Sequence, residues 1–294
     1  MSGFSGDAKD EVAGVELERA CCAASFVGAL ARFSNRRALG RFGVRSDRVI
    51  ASSERASIAR AALRAARHAG VDAHSKRFVD ARLGRAEILA VISDAPISAL
   101  ARPPARACCR RAWLRGAFLA SGSVADPHRG YHLELFCPDD DAARALGDAL
   151  ALFGIDLGIA RRRGRPLGYV KGAKSVADLL GHMGASRSVL TLDDVLAVRA
   201  TKNAIRRKVN SELANAKRAA VCAARQRDAA LRVADRLGLA ALTPALREAA
   251  RLRIAHPSHS LAELAAGARP SITKAAMAAR MRTLERLARP GRRR

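Results

Sequence analysis

Several features that would mark a membrane, secreted or single-strand-binding protein are scarce in this chain. Aromatic residues make up only 4%, with one Trp and two Tyr, which disfavours recognition of single strands by base stacking. No window approaches the ~18 uninterrupted apolar residues of a membrane span. Residues 1–20 carry five acids and no apolar stretch, so they do not resemble a secretory signal. We therefore expect a cytoplasmic protein that does not contact a membrane.

Cysteine is present, but not in a spacing typical of metal sites. None of the six cysteines forms a CxxC motif, and four of them form two adjacent pairs, Cys21-Cys22 and Cys108-Cys109. Neighbouring residues on a helix point about 100° apart, so a pair by itself suits neither a tetrahedral metal site nor a disulfide. We expect reduced, mostly buried thiols, with no metal and no cofactor.

Acidic residues are fewer than basic residues, and the difference is greatest in the last third of the chain. The chain has 53 Lys and Arg against 27 Asp and Glu, a net charge of +26, and residues 201–294 hold 22 basic residues against 6 acids. Such a surplus attracts polyanions. Nucleic acid is favoured over an anionic membrane, because no amphipathic helix carries the Trp/Phe/Leu face that interfacial binding requires.

One segment near the start of the chain recurs 87 residues later. Both copies open on a cysteine pair, continue with an aromatic and an aliphatic residue, and close on a serine. The matched positions include Phe26 with Trp113, Ala29 with Gly116, and Ser34 with Ser121. An offset this large indicates two copies of a whole supersecondary unit. Small residues at equivalent places allow the two helices to pack closely about a pseudo-dyad.

The second copy predicts the order α-β-β-α-β-β-α. Its elements are a helix over 108–121, a hairpin over 123–136, a helix over 142–153 stopped by Gly154, a hairpin over 155–170 turning at Gly164-Arg165-Pro166, and a helix over 175–183 stopped by Gly184. The first copy is compatible with a helix over 20–34, strands near 37–52, a helix over 54–69 and strands near 72–92. A connector from Pro96 to Pro104 replaces its last helix.

The remaining third of the sequence predicts only helices. Nothing breaks a helix from 202 to 237, and Gly238 ends it. Thr243-Pro244 opens a further helix, and a capping box at Ser260 to Glu263 opens a short one that ends at Gly267. Thr273 caps a last helix whose apolar face holds Met277, Met281, Leu284 and Ala288. This succession is typical of a helix-turn-helix, although a generic helical hairpin gives the same pattern.

Residues 114–122 resemble the LAGLIDADG motif of homing endonucleases, and the duplicated order resembles their fold. The preceding cysteines and the following Gly130-Tyr131-His132-Leu133-Glu134 give a narrower resemblance to the WhiA family of bacterial sporulation regulators. Segments 209–215 and 272–284 agree with it, so the likeness extends from about residue 20 to 288. It implies an α+β fold: a duplicated, degenerate LAGLIDADG-like domain, a long helical connector and an all-α helix-turn-helix. The expected divisions are 1–104, 105–200, 201–238 and 239–294.

The resemblance also indicates where catalysis would be found. Homing endonucleases place an acid at the second-to-last motif position of each copy, because hard metal ions at the scissile phosphates need carboxylate ligands. Ser34 and Ser121 occupy those positions here. Asp126 and Asp47 are interpreted as turn and loop acids. No His pairs with a Cys or Ser in a recognisable hydrolase signature. We therefore expect no catalytic residue and no enzyme.

In a helix-turn-helix, the start of the second helix reaches base edges while nearby cations hold phosphates. The expected groove residues are Ser271, Thr273, Lys274 and Ala275, and the expected backbone contacts are Arg269, Arg280 and Arg282. Each arginine is equally consistent with a solvated face. The family usually has polar residues at the positions of Ala278 and Ala279; if those side chains read bases, this chain has a different or looser sequence preference. Arg161, Arg162, Arg163 and Arg165 on a hairpin tip are equally consistent with an auxiliary phosphate contact and with a hydrated turn. A disordered tail of Arg289, Arg292, Arg293 and Arg294 is expected to add non-specific attraction.

These patterns favour a bacterial regulator of transcription whose partner is double-stranded promoter DNA. The resemblance implies a role in sporulation-type or ordinary cell division, or in chromosome segregation. It also implies that the first domain either docks a protein of the transcription machinery or makes a second DNA contact. The alternatives are a nucleoid-associated protein with little sequence preference and a residual nuclease that uses Asp126 or another acid.

Overall fold

The computed structural model describes residues 3–34, 37–80, 86–97 and 103–289. The chain divides into two compact units, the first ending at Arg199 and the second beginning at Ala200. In the described residues, no helix combines the length and the apolar character needed to cross a bilayer.

The first half of the first unit wraps helices around a small antiparallel sheet. The three strands are ordered β1-β3-β2. Its elements are α1 Phe4–Gly14, α2 Ala20–Phe33, α3 Arg37–Gly40, a 3-10 helix Ser46–Arg48, β1 Val49–Ser53, α4 Ala56–His68, β2 Ala73–Asp80 and β3 Ala86–Ser93.

The second half follows the predicted order in full. Its four antiparallel strands are ordered β4-β5-β7-β6. Its elements are α5 Ala107–Ser121, β4 Gly122–Val124, β5 His132–Phe136, α6 Asp140–Ala151, β6 Gly158–Arg162, β7 Arg165–Lys171 and α7 Ala173–Met183. The β6–β7 turn lies one residue earlier than predicted. Arg163 (φ 51°) and Gly164 (φ 76°) both adopt the left-handed conformation, as a two-residue type I′ turn requires.

One expectation for the first half is wrong. The described residues between 37 and 48 form no strand, so β1 is the only strand where a pair was expected near 37–52. A helical turn forms instead because it buries Leu39 completely against Phe78 and Ile88 of the sheet, with Phe42 beside them. The connector expected from Pro96 to Pro104 lies partly outside the described residues, which contain no helix between β3 and α5.

The helix α1 is absent from the sequence prediction. Its Ala8, Val12 and Ala13 are buried in the main core, and it contacts α4 and α5. Glu11 of this helix lies at the start of α8, where its carboxylate accepts hydrogen bonds from the backbone N–H of Arg187 (2.6 Å) and of Ser188 (3.0 Å). It thereby satisfies backbone donors that a helix leaves unpaired at its first turn.

The two halves meet where α2 crosses α5. The backbones approach so closely that a methyl group on Gly116 would lie 2.5 Å from the carbonyl oxygen of Phe26 and 2.9 Å from Cβ of Ala29. Trp113 is fully buried beside this contact, edge-on to Phe33 at 5.3 Å. The close packing predicted from the paired small residues is therefore present.

The long helix begins earlier than predicted. α8 runs over Ser186–Leu237, 52 residues, so it includes residues 186–201 that the sequence reading left unassigned. Gly184, at φ 85°, ends α7, and Gly238, at φ 75°, follows the last residue of α8. No Gly or Pro lies between them.

The second unit is helical. After α8 come a 3-10 helix Leu239–Ala241, α9 Pro244–Ala255, α10 Leu261–Ala266 and α11 Lys274–Leu287. Its core combines Ala229, Ala230 and Val233 of α8 with apolar residues of α9 to α11.

Candidate nucleic-acid interface

The start of α10 is fixed by the capping box that the sequence predicts. Ser260 Oγ accepts from the backbone N–H of Glu263 (3.3 Å), and the Glu263 carboxylate accepts from the backbone N–H of Ser260 (2.6 Å). That backbone donor also lowers the pKa of Glu263. Two otherwise unpaired donors are satisfied, so α10 begins at a defined residue despite its six-residue length.

The last helix begins and packs as its sequence predicts. Thr273 Oγ1 accepts from the backbone N–H of Ala276 at 3.1 Å. Met277, Met281, Leu284 and Ala288 are all buried. Since these residues face the core, α11 turns its other face outward, where Lys274, Ala275, Ala279 and Arg282 are exposed. That face is the one available to a ligand.

A glutamate of α9 holds both the connecting segment and α11. The Glu248 carboxylate accepts from the backbone N–H of Arg269 at 2.6 Å and from Nη1 of Arg280 at 3.2 Å. The side chains of Glu248 and Arg280 are each partly buried. Arg280 was expected to contact DNA, and in the structure its guanidinium positions α11 against α9. The sequence reading missed Glu248 because its partners are 21 and 32 residues away.

The turn before α10 is organised by a buried arginine that the sequence reading did not single out. Arg253 is 1% exposed. Its guanidinium donates to the carbonyl oxygen of His259 (2.7 Å) and to Oε1 of Gln226 on α8 (3.0 Å), with longer contacts to two neighbouring carbonyls. Burial lowers the pKa of this arginine. One side chain thus joins α9, the turn and α8.

The structure brings most of the expected groove residues together. Ser271, Lys274 and Ala275 are exposed around the first turn of α11, and Arg282 is exposed two turns further along. The Thr273 hydroxyl is exposed but already serves as the cap. The side chain of Arg269 is exposed in the segment between α10 and α11. This surface combines a helix N-terminus, three cationic side chains and small side chains that permit close approach.

The basic hairpin tip of the first unit is partly neutralised. Arg161 donates to both carboxylate oxygens of Asp140 at 2.9 Å, and Arg162 lies 3.9 Å from Glu134. Arg163 occupies the turn, and Arg165 lies over the ring of Phe136. All four arginines are exposed, so the tip offers less net charge than its sequence indicates. The tail residues Arg292, Arg293 and Arg294 lie outside the described residues.

The serines at the motif positions have main-chain partners. Ser34 Oγ donates to the carbonyl oxygen of Ile50, and Ser121 Oγ donates to that of Ala117, both at 3.3 Å. Asp126 accepts from the backbone N–H of His128 at 2.8 Å within its own turn. Asp47 is paired with Arg45, whose hydrogen bond lowers the pKa of the aspartate. Both acids have the local roles that the sequence predicts.

The two adjacent cysteine pairs lie close to each other, which could not be expected from either pair alone. Sγ of Cys22 lies 3.8 Å from Sγ of Cys109, which in turn lies 3.5 Å from Sγ of Cys21. The two pairs therefore meet between α2 and α5. Their common 87-residue offset, which places them at equivalent ends of two packed helices, was the signal that could have revealed this.

Two family models cover most of the chain. The model for the WhiA LAGLIDADG-like domain matches residues 110–202. The model for the WhiA C-terminal HTH domain matches residues 205–288.

Alignments with similar proteins cover nearly the whole length of this chain. The probable cell division protein WhiA of Heliobacterium modesticaldum is 34% identical over 306 residues, covering 97% of this chain and 95% of that protein. The protein of the same name from Desulforudis audaxviator is 32% identical and covers 97% and 96%. A crystal structure of full-length DUF199/WhiA from "Thermatoga maritima" aligns over 98% of both chains, with a TM-score of 0.62 and 22% identity. These likenesses confirm the α+β fold with a LAGLIDADG-like domain, a long helix and a helix-turn-helix.

Proposed function

This chain belongs to the WhiA family, and from that membership we propose that it is a bacterial transcription regulator. It binds double-stranded promoter DNA at the nucleoid through its C-terminal helix-turn-helix. Because its relatives are named cell division proteins, the genes it controls serve cell division, chromosome segregation or sporulation. The proposed chain has four functional segments. Residues 1–104 and 105–200 form the two LAGLIDADG-like halves, residues 201–238 form the helical connector, and residues 239–294 bind DNA.

The observation that carries the proposal is the outward face of α11. A recognition helix needs a rigid base, a defined N-terminus and an exposed face free of large apolar groups. The cap at Thr273 gives α11 a defined N-terminus. The buried face from Met277 to Ala288 and the contact with Glu248 give it a rigid base. Lys274 and Arg282 supply cations for phosphates or for guanine edges.

The small side chains on that face predict the kind of recognition. Ala275, Ala278 and Ala279 cannot form hydrogen bonds to bases, but a methyl group can contact the methyl of thymine. Base-specific hydrogen bonds would come from Ser271, Lys274 and Arg282. We therefore expect a smaller set of specified bases than in relatives with polar residues at these positions.

The first unit is proposed to be catalytically silent. A metal-dependent nuclease needs carboxylates where its two motifs meet, and the hydroxyls of Ser34 and Ser121 are engaged with backbone carbonyls. This unit then serves as a docking surface for a protein of the transcription machinery or as a second DNA contact through the hairpin tip.

The binding test starts from duplexes selected by the full-length chain from genomic fragments. Affinity for a selected and a random duplex is then measured by fluorescence anisotropy at about 150 mM salt. A specific regulator prefers its site by a factor of roughly 10³ or more. Equal affinities would contradict the proposal and favour a nucleoid-associated protein.

A charge-matched pair of variants locates the interface. Lys274→Ala should weaken binding and reduce the slope of log affinity against log salt by about one unit. Lys174→Ala removes the same charge from an exposed side chain of α7 and should change neither quantity. If the two variants behave alike, α11 is not the binding face.

The proposed lack of catalysis is tested with supercoiled plasmid and Mg²⁺. We expect no nicking by the purified chain. Specific nicking that disappears in Asp126→Ala would overturn this part of the proposal while leaving the binding result intact.

A further inference from the structure

Four cysteine thiols gather at one end of the contact between α2 and α5. Cys21 and Cys22 lie in the first turn of α2, and Cys108 and Cys109 lie in the first turn of α5. Because both helices begin one residue before their cysteine pair, the pseudo-dyad brings the two pairs to the same place. The remaining cysteines, Cys137 and Cys222, lie elsewhere and carry no such neighbours.

The sulfurs of Cys21, Cys22 and Cys109 are spaced as ligands around a single ion are, and Sγ of Cys108 lies next to that of Cys109. The Sγ separations are 3.8 Å for Cys22 and Cys109, 3.5 Å for Cys21 and Cys109, and 3.9 Å for Cys108 and Cys109. A tetrahedral site with Zn–S bonds of about 2.3 Å requires sulfurs about 3.8 Å apart. Cys21, Cys22 and Cys109 all lie within 4.8 Å of one another, the only such group of potential ligands in the described part of the chain.

We propose that this four-cysteine cluster is a thiolate site for one soft, thiophilic cation such as Zn²⁺, which ties the first turns of α2 and α5 together. Cys21, Cys22 and Cys109 form its base, and Cys108 is the fourth ligand. Each thiol gives up its proton to solvent as its sulfur bonds to the metal.

The surroundings suit an anionic site. Cys21 is exposed and Cys108 is partly exposed, which gives an ion a path from solvent to the buried Cys22 and Cys109. Arg19 and Arg106 immediately precede the first turns of α2 and α5, so each cysteine pair has a cationic residue next to it in the chain.

Packing alone does not require this arrangement. A buried thiol usually fills space as a small apolar group, and two cysteines per helix are not needed to fill one contact. Here two of the four thiols reach solvent, where they contribute little apolar burial. Convergence of four sulfurs, with cations on the neighbouring residues, is the pattern of a ligand set.

The test uses the reduced full-length chain, loaded with Zn²⁺ and freed of excess metal. We expect one zinc per chain by elemental analysis, and a thiolate-to-metal charge-transfer band with tetrahedral d–d bands when Co²⁺ replaces Zn²⁺. Zinc should also raise the melting temperature, because it binds only the folded arrangement. A reduced wild-type chain that retains no metal would overturn the proposal, whether or not oxidation then forms a disulfide.

Two variants separate this cluster from other ligands. Cys22→Ser/Cys109→Ser should lose the bound metal and the cobalt spectrum, whereas Cys222→Ser, which removes a thiol outside the cluster, should retain both. Equal zinc content in the two variants would contradict the assignment.

A measurement on the wild type does not depend on the folding of any variant. Thiols are counted with a chromogenic disulfide reagent before and after zinc is added. We expect zinc to protect Cys21 and Cys108, the accessible thiols of the cluster, while Cys222 stays reactive. An unchanged count would contradict the proposal.

Discussion

Gly116 offers the sharpest test of how the two halves are joined. Replacing it with alanine adds one methyl group at the crossing of α2 and α5. That methyl would lie 2.5 Å from the carbonyl oxygen of Phe26 and 3.1 Å from the backbone nitrogen of Leu30. Both neighbours are backbone atoms of a helix, so relief requires the helices to separate rather than a side chain to rotate.

The magnitude follows from two opposing effects. Alanine favours a helix interior over glycine by roughly 0.5–1 kcal/mol, whereas overpacking a close contact costs about 1–3 kcal/mol. We expect Gly116→Ala to lower the free energy of unfolding of the first unit by about 1–2 kcal/mol. Gly147 in α6 is the matched control, because a methyl group there would meet only Leu157, at 3.9 Å. Gly147→Ala should therefore stabilise the unit by up to about 1 kcal/mol.

The assay is urea unfolding followed by fluorescence. The chain has one tryptophan, and Trp113 is fully buried beside Gly116, so its emission reports on the first unit alone. The two variants should shift the unfolding midpoint in opposite directions. If Gly116→Ala stabilises the protein as Gly147→Ala does, the close helix contact is absent and the pseudo-dyad packing is wrong.

Three further predictions test single side chains. Glu11→Ala should destabilise the first unit by about 1–2 kcal/mol in the same urea assay, because it removes the cap from α8; an unchanged midpoint would contradict that role. Arg253→Ala should destabilise the second unit by about 3 kcal/mol, seen as faster hydrogen exchange in α9 and α10 but not in α5. Burial and, to a lesser degree, Arg55 lower the pKa of Lys9 to about 8. The unfolded chain binds the Lys9 proton more tightly than the folded chain does. Lys9 therefore lowers the free energy of unfolding in full below pH 8, and this destabilisation disappears as the pH rises from 8 to the ordinary pKa of 10.5. Lys9→Met should thus be more stable than wild type at pH 7, with a gap that closes by about pH 10.5; a constant gap would refute this.

Local signals made the second unit predictable. The capping box at Ser260, the cap at Thr273 and the apolar face beginning at Met277 depend on residues within one or two turns of each other. The structure confirms all three. The order of hairpins and helices in the second half of the first unit was predictable for the same reason.

Features that depend on distant partners were not predictable. Residues 37–48 turn away from a strand because Leu39 packs against Phe78, 39 positions later. The helix α1 has few large apolar residues, and its role depends on Glu11 meeting the start of α8. Likewise, Arg280 carries the basic charge typical of a phosphate contact, yet Glu248 of another helix engages it. The cysteine cluster forms from two segments 87 residues apart, and neither segment alone predicts it.

The most direct test of regulation through α11 is genome-wide occupancy in living cells. The full-length chain is compared with a chain carrying Lys274→Ala and Arg282→Ala, expressed at the same level. We expect discrete peaks at promoters for the wild type and their loss in the variant, since both side chains are exposed and their removal leaves the core intact. Uniform coverage by the wild type, or peaks that persist in the variant, would contradict sequence-specific regulation by this helix.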